Sequence, residues 1–133
     1  MSDERLAISD ERIMDNFSYR KLRVYQHSKL FVISVYKMLV AFPAEEKYAL
    51  SDQLRRAVIS IPSNIAEGMS RTSVKEQLHF LEIAYGSLNE VMCQLELSQE
   101  LGYITQNQLK ELEDEYQTIA QMLSGLRKSK QTK

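Results

Sequence analysis

The chain is poor in the residues that mark turns, cross-links and metal sites. Its 133 residues include one cysteine, two prolines, four glycines, two histidines and no tryptophan. A lone Cys93 excludes an intramolecular disulfide, and a reducing, cytoplasmic location is the simplest expectation. So few glycines and prolines exclude a turn-rich β-sandwich. No run of about 18 apolar residues is free of charge, so no membrane span is expected. The opening MSDERLAISDER lacks the basic and apolar regions of a signal peptide. A glycine-rich phosphate loop is also missing.

What is present favours one helical domain. The length suits a single compact unit, and 44% hydrophobic residues supply a core. Leu, Glu, Gln, Lys and Arg dominate, all good helix formers. The net charge of −1 conceals segregation. Residues 1–19 carry −3, residues 20–75 carry +6, residues 76–117 carry −8 and residues 118–133 carry +4. Such separation suits a polyanion-binding face. It equally suits helices of opposite sign that attract within a bundle or between subunits.

Apolar periodicity predicts four helices. The first spans about 23–41, with Val24, Phe31, Val35 and Met38 on a broad face. Phe42-Pro43 ends it, because the residue before proline avoids the α region. The second spans about 45–67, with Leu50, Leu54, Ala57, Val58, Ile61 and Ile65 in one stripe and Gly68 as its C-terminal cap. Pro62 falls inside it. An interior proline removes a backbone donor and clashes with the preceding turn, at a cost of about 3 kcal/mol. The stripe continues through Ile65, so a kink at Pro62 is expected; a break, with Asn64 and Glu67 capping a fresh turn, is the alternative. The third spans about 73–101. Ser73 and Glu76 form its capping box, and Leu78, Leu81, Tyr85, Leu88, Met92 and Leu95 its heptad seam, with Gly102 as the stop. The fourth spans about 106–128. Thr105 and Gln108 cap it, and Leu109, Leu112, Tyr116, Ile119, Leu123 and Leu126 repeat the seam. Short links force neighbours antiparallel. The expected architecture is all-α: an up-down-up-down antiparallel four-helix bundle over residues 17–128, between a weakly structured tail (1–16) and a basic tail (129–133).

Catalytic constellations are weak. Glu76-x-x-His79 has the spacing of a di-iron ligand pair, but such a site needs two pairs and two further glutamates. The other histidine, His27, has Val24 three residues before it. No metal or cofactor is therefore expected. Cys93, flanked by Glu90 and Glu96, reads as a small buried hydrophobe rather than a nucleophile. The run Glu113-Asp114-Glu115 reads as a solvated helix face. No enzyme is expected.

Two surfaces are predicted instead. Some apolar residues fall off the main stripes: Tyr48, Ile59 and Ala66 at one flank of the second helix, and Phe80, Ala84 and Val91 in a second arc of the third. Ile83, Leu97 and Leu101 lie outside both. Repetition on two helices predicts self-association through the first two groups. Basic residues interleave with aromatics around Tyr19 and Tyr25. Arg20, Lys21, Arg23, Arg56, Arg71 and Lys75 are the candidate contacts for RNA or single-stranded DNA. The competing reading assigns these arginines to salt bridges within or between subunits.

Several short motifs then point to a family. Leu22-Arg23-Val24-Tyr25 opens the first helix and Phe42-Pro43 ends it. Gln53-Leu54-Arg55-Arg56-Ala57-Val58 and Ser60-Ile61-Pro62-Ser63-Asn64-Ile65-Ala66-Glu67-Gly68 fill the second. Gly86-Ser87-Leu88 and Leu101-Gly102-Tyr103-Ile104 follow. Over Tyr19 to Lys128 the chain resembles the bacterial four-helix-bundle family of 23S rRNA intervening-sequence proteins. That resemblance implies a homopentameric ring with no catalytic residues. It also implies kinship with the accessory variability proteins of diversity-generating retroelements, whose rings bind nucleic acid and a reverse transcriptase.

Overall fold

Four helices form where the apolar period places them. The computed structural model describes residues 18–46 and 49–132. A 3-10 turn (Ser18–Lys21) leads into α1 (Arg23–Leu39), and a second (Ala44–Glu46) precedes α2 (Leu50–Met69). Then come α3 (Val74–Glu100) and α4 (Gln106–Gln131), and no strand occurs among the described residues. The expected tail at 1–16 and the expected interface residue Tyr48 lie outside the described residues.

The core joins one face of each helix. Phe31 and Val35 of α1, Leu54, Val58, Ile61 and Ile65 of α2, Leu81, Leu88 and Leu95 of α3, and Ile119 and Leu123 of α4 are almost wholly buried. Burying one such side chain is worth about 1.5–3 kcal/mol, so this cluster outweighs any local propensity. Each helix packs on two others: α1 on α2 and α4, α3 on α2 and α4. Contacts fix relative direction. Gln53 meets Gln94, Ser60 meets Ser87, and Gly68 meets Phe80, so pairs climb α2 as they descend α3. Tyr116 bonds Asn89 and Arg127 bonds Glu82, the same relation between α4 and α3. Lys21 to Val24 face Met122 to Leu126, while Ser34 bonds Glu115, repeating it between α1 and α4.

Helix ends mostly follow the expected chemistry. Thr105 and Gln108 complete a reciprocal capping box at α4. At α3 the Ser73 hydroxyl accepts from the Glu76 N–H at 3.1 Å. Gly102 takes φ +82° after α3, where the Tyr103 N–H reaches the Ser98 carbonyl and the Gly102 N–H reaches Gln99. That is a Schellman closure, which needs the left-handed conformation glycine adopts at no steric penalty.

Several expectations are corrected. α2 starts at Leu50, not near 45, because Pro43 is followed by a separate 3-10 turn and Ala49 offers no capping side chain. It does not break at Pro62. The Asn64 amide donates to both the carbonyl and the hydroxyl of Ser60 at 2.8 Å, and that hydroxyl lies 2.8 Å from Ser87 of α3. The turn around the proline is thus tied to a neighbouring helix. Gly68 is not a cap. It lies buried inside α2, where a Cβ would stand 3.1 Å from the Phe80 Cβ and 3.2 Å from the Gln77 carbonyl oxygen. Its role is close helix approach. Ser129 to Gln131, expected in a tail, continue α4.

Ala84 and Val91 belong to the core rather than to an interface. α3 packs against both α2 and α4 and so needs a wider apolar arc than one seam. Phe80 is half-buried, Ala66 is half-buried and Ile59 is exposed. Cys93 is exposed on the outer side of α3, not buried.

Candidate nucleic-acid interface

Charge separates along the bundle. At one end α1 begins, α2 and α3 are joined, and α4 finishes. Arg20, Lys21, Arg23, Arg71, Lys75, Arg127, Lys128 and Lys130 outnumber Glu67 and Glu76 there. At the other end Asp52, Glu96, Glu100, Glu111, Glu113 and Asp114 outnumber Lys37, Arg56 and Lys110.

The basic residues are not equivalent. Lys128 and Lys130 occupy the last turn of α4, where cations suit the helix dipole. Arg23 is in the first turn of α1, where a cation opposes the dipole by about 0.3–1 kcal/mol. That turn holds no acidic residue, and its N-cap, Leu22, gives no side-chain hydrogen bond. Lys21 and Arg23 flank an apolar groove of about 430 Å³ completed by Met122, Gly125 and Leu126. Tyr19 stacks edge-on against Tyr25 at 5.0 Å beside it. Lys21, Arg23, Lys75, Lys128 and Lys130 make no ion pair among the described residues.

Two of the six expected contacts have other duties. Arg56 pairs with Asp52 at 3.1 Å and sits away from the basic end. Arg71 pairs with Glu67, and its guanidinium lies 5.0 Å over the Phe80 ring while its carbonyl accepts from Gln77. It locks the link between α2 and α3. Arg127 and Lys128, inside the helix expected over 106–128, and Lys130, in the expected tail, are not among the expected contacts. Extending the 3.6 period of α4 by one turn would have placed Lys130.

The family model for 23S rRNA-intervening sequence proteins matches residues 20–125. The chain belongs to the 23S rRNA-intervening sequence protein family. The matched span of this intervening-sequence protein takes in Arg20 to Arg23, Arg71 and Lys75 and stops before Arg127, Lys128 and Lys130. A crystal structure of a protein of unknown function from the S23 ribosomal protein family of Bacteroides thetaiotaomicron VPI-5482 is similar. It shares 29% identity and a TM-score of 0.71, over 79% of this chain and 98% of that one. No curated protein matches.

Other chemistry in this family member is sparse. No group of three or more His, Cys, Asp or Glu side chains is gathered to hold a metal among the described residues. No helix among them is long and apolar enough to cross a membrane. Between α1 and α4, the Ser34 hydroxyl donates to the Glu115 carboxylate at 3.0 Å, in a groove that Lys37 and Glu111 also line. Burial pushes the Glu115 carboxyl above the ordinary carboxylate range. The Ser34 hydrogen bond pulls it down, Glu111 pushes it up and His27 pulls it down. A raised folded pKa contributes stability that is present below the unfolded value and lost as pH rises through the folded one. Glu115→Gln should therefore gain on the wild type between about pH 4 and about pH 7 in urea denaturation. A gap that stays flat, or moves in favour of the wild type, contradicts this assignment.

Proposed function

We propose that the chain is a non-enzymatic, self-associating bundle protein of the cytoplasm that binds RNA or single-stranded DNA at its basic end. The reading takes the helices as up-down-up-down with a bend at Pro62, and takes a pentamer as the number the family resemblance implies. The observation that carries it is the cluster Arg20, Lys21 and Arg23 at an uncapped helix N-terminus. At Arg23 the helix dipole disfavours a cation, and a phosphate bound at that helix start would offset this. The half-buried Tyr25 and the adjoining apolar groove give an unpaired base something to rest on.

A second reading has its own support. The Arg56–Asp52 and Arg71–Glu67 pairs show arginines already engaged within the chain. On that reading the bundle is a protein scaffold, with a reverse transcriptase as the kind of partner the resemblance implies.

Titration of single-stranded RNA and DNA at low and physiological salt separates the two. Binding through phosphates weakens with salt, log affinity falling by about 0.7 per neutralised single-strand phosphate. Changing Arg20, Lys21 and Arg23 together to alanine should flatten that slope by roughly 2, while Arg56→Ala should leave it unchanged. Sequence preference should be small, because phosphate contacts position without reading bases. No binding at low salt, or binding that the triple change leaves intact, removes this site and favours the scaffold.

A further inference from the structure

Two helices carry apolar stripes on the side away from the core. On α1 and the residue just beyond it, Leu30, Ile33, Lys37 and Val40 follow spacings of three and four, the period of a helix-packing seam. Leu30, Ile33 and Val40 are 58%, 50% and 87% exposed. On α3, Ile83, Gly86, Glu90, Cys93 and Leu97 follow the same spacings, and all are exposed. A Cβ at Gly86 would meet nothing within 4 Å. The core seam runs along the opposite side of each helix, and of the stripe residues Leu97 borders a groove against Leu50 and Gln53 of α2 and Lys37 one against α4.

The two helices that carry the stripes are opposite in charge. α1 holds Arg23, Lys29 and Lys37 and no acidic residue, net +3. α3 holds Lys75 against Glu76, Glu82, Glu90, Glu96 and Glu100, net −4. They are also opposite in position. Each of α1 and α3 packs on α2 and α4, so the two sit across the diagonal and their outer faces point apart. Both run against α4 and hence share one direction. One chain cannot join these faces to each other, and two chains can.

Resting on the self-association reading above, we infer that the outer face of α1 in one copy packs on the outer face of α3 in the next. The interface is heterologous, each copy offering one face and accepting the other, which extends a chain of copies or closes it into a ring. With the helices parallel, aligning Leu30 on Ile83 sets Ile33 on Gly86, Lys37 on Glu90 and Val40 on Cys93 in register. The central charge pair selects that register, and Gly86 admits the bulkier Ile33. Competing local partners are modest. Lys37 borders the groove that holds Glu111 and Glu115, and Glu90 accepts a hydrogen bond from Gln94 at 3.2 Å.

The test uses the full chain and two double variants, with mass read by light scattering on a sizing column and helicity by circular dichroism. Ile33→Glu with Val40→Glu disables the first face, and Ile83→Glu with Leu97→Glu the second. The wild type should run as an oligomer, and each variant alone as a helical monomer of 15.4 kDa. Mixed one to one, the variants should form a dimer of twice that mass through their intact faces. A monomeric wild type overturns the self-association reading, and this inference with it. An oligomeric wild type with either variant still fully assembled overturns only the faces, as does a mixture that stays monomeric. Should a double variant lose helicity, Lys37→Glu and Glu90→Lys replace it. Each alone should raise the dissociation constant at least tenfold and the two in one chain should restore it; failure to restore overturns the register and the proposal.

Discussion

Replacing Phe31 by alanine is expected to lower the unfolding free energy by about 3–5 kcal/mol, the range for emptying a buried phenylalanine site. Phe31 lies on α1 with no solvent exposure, and it belongs to the same cluster as Leu54, Ile61, Leu88 and Ile119. These side chains come from all four helices. They cannot collapse into the vacancy without moving a helix, so most of the cavity should persist. The loss is a large share of the roughly 5–15 kcal/mol that holds a domain of this size together. In urea the midpoint should fall sharply while the slope stays unchanged, since the surface exposed on unfolding hardly changes. Ile33→Ala, two residues away on the outward side, should shift the monomer's stability by less than about 0.5 kcal/mol. A Phe31→Ala loss below about 1 kcal/mol would contradict the placement of α1 in the core.

The contrast between Phe31 and Ile33 was half legible in the sequence. The period puts Phe31 on the core face with Val24, Val35 and Met38 and leaves Ile33 off it, but it marks no second stripe. The same logic recovered the four helices, the Thr105–Gln108 box and the stop at Gly102. It failed where one helix serves two neighbours. Ala84 and Val91 look surplus beside the leucine seam of α3, and only the packing of α3 on both α2 and α4 accounts for them. It failed again for Cys93. A free thiol is more often buried, and the position falls just beyond the core arc. The candidate site was legible as composition and not as place. Arg20, Lys21 and Arg23 are neighbours in the chain, but their proximity to the end of α4 is a product of topology. Arg56 shares their charge and none of their surroundings, and its partner Asp52 lies one turn back on the same helix.

The most consequential local feature for that site is Gly68, and Gly68→Leu should cost about 3 kcal/mol or more, at or above the upper end for overpacking. A Cβ alone would press on the Phe80 Cβ and on the Gln77 carbonyl oxygen. The carbonyl belongs to the first turns of α3 and has no rotamer through which to yield. The added side chain must therefore push α2 and α3 apart at the joint that Arg71 spans. Gly125→Ala is the control. A Cβ there meets nothing within 4 Å, so relief of the glycine entropy penalty should stabilise α4 by about 0.5–1 kcal/mol. The two changes thus have opposite signs at two glycines inside helices. The functional readout follows the geometry. Splaying the joint moves Lys75 away from Arg20, Lys21 and Arg23, so Gly68→Leu should lower the salt slope of nucleic-acid binding. Thermal melts of both variants, with RNA titrations run well below their midpoints, check stability and slope independently. A Gly68→Leu protein as stable as the wild type would show that the α2–α3 joint does not depend on the close approach.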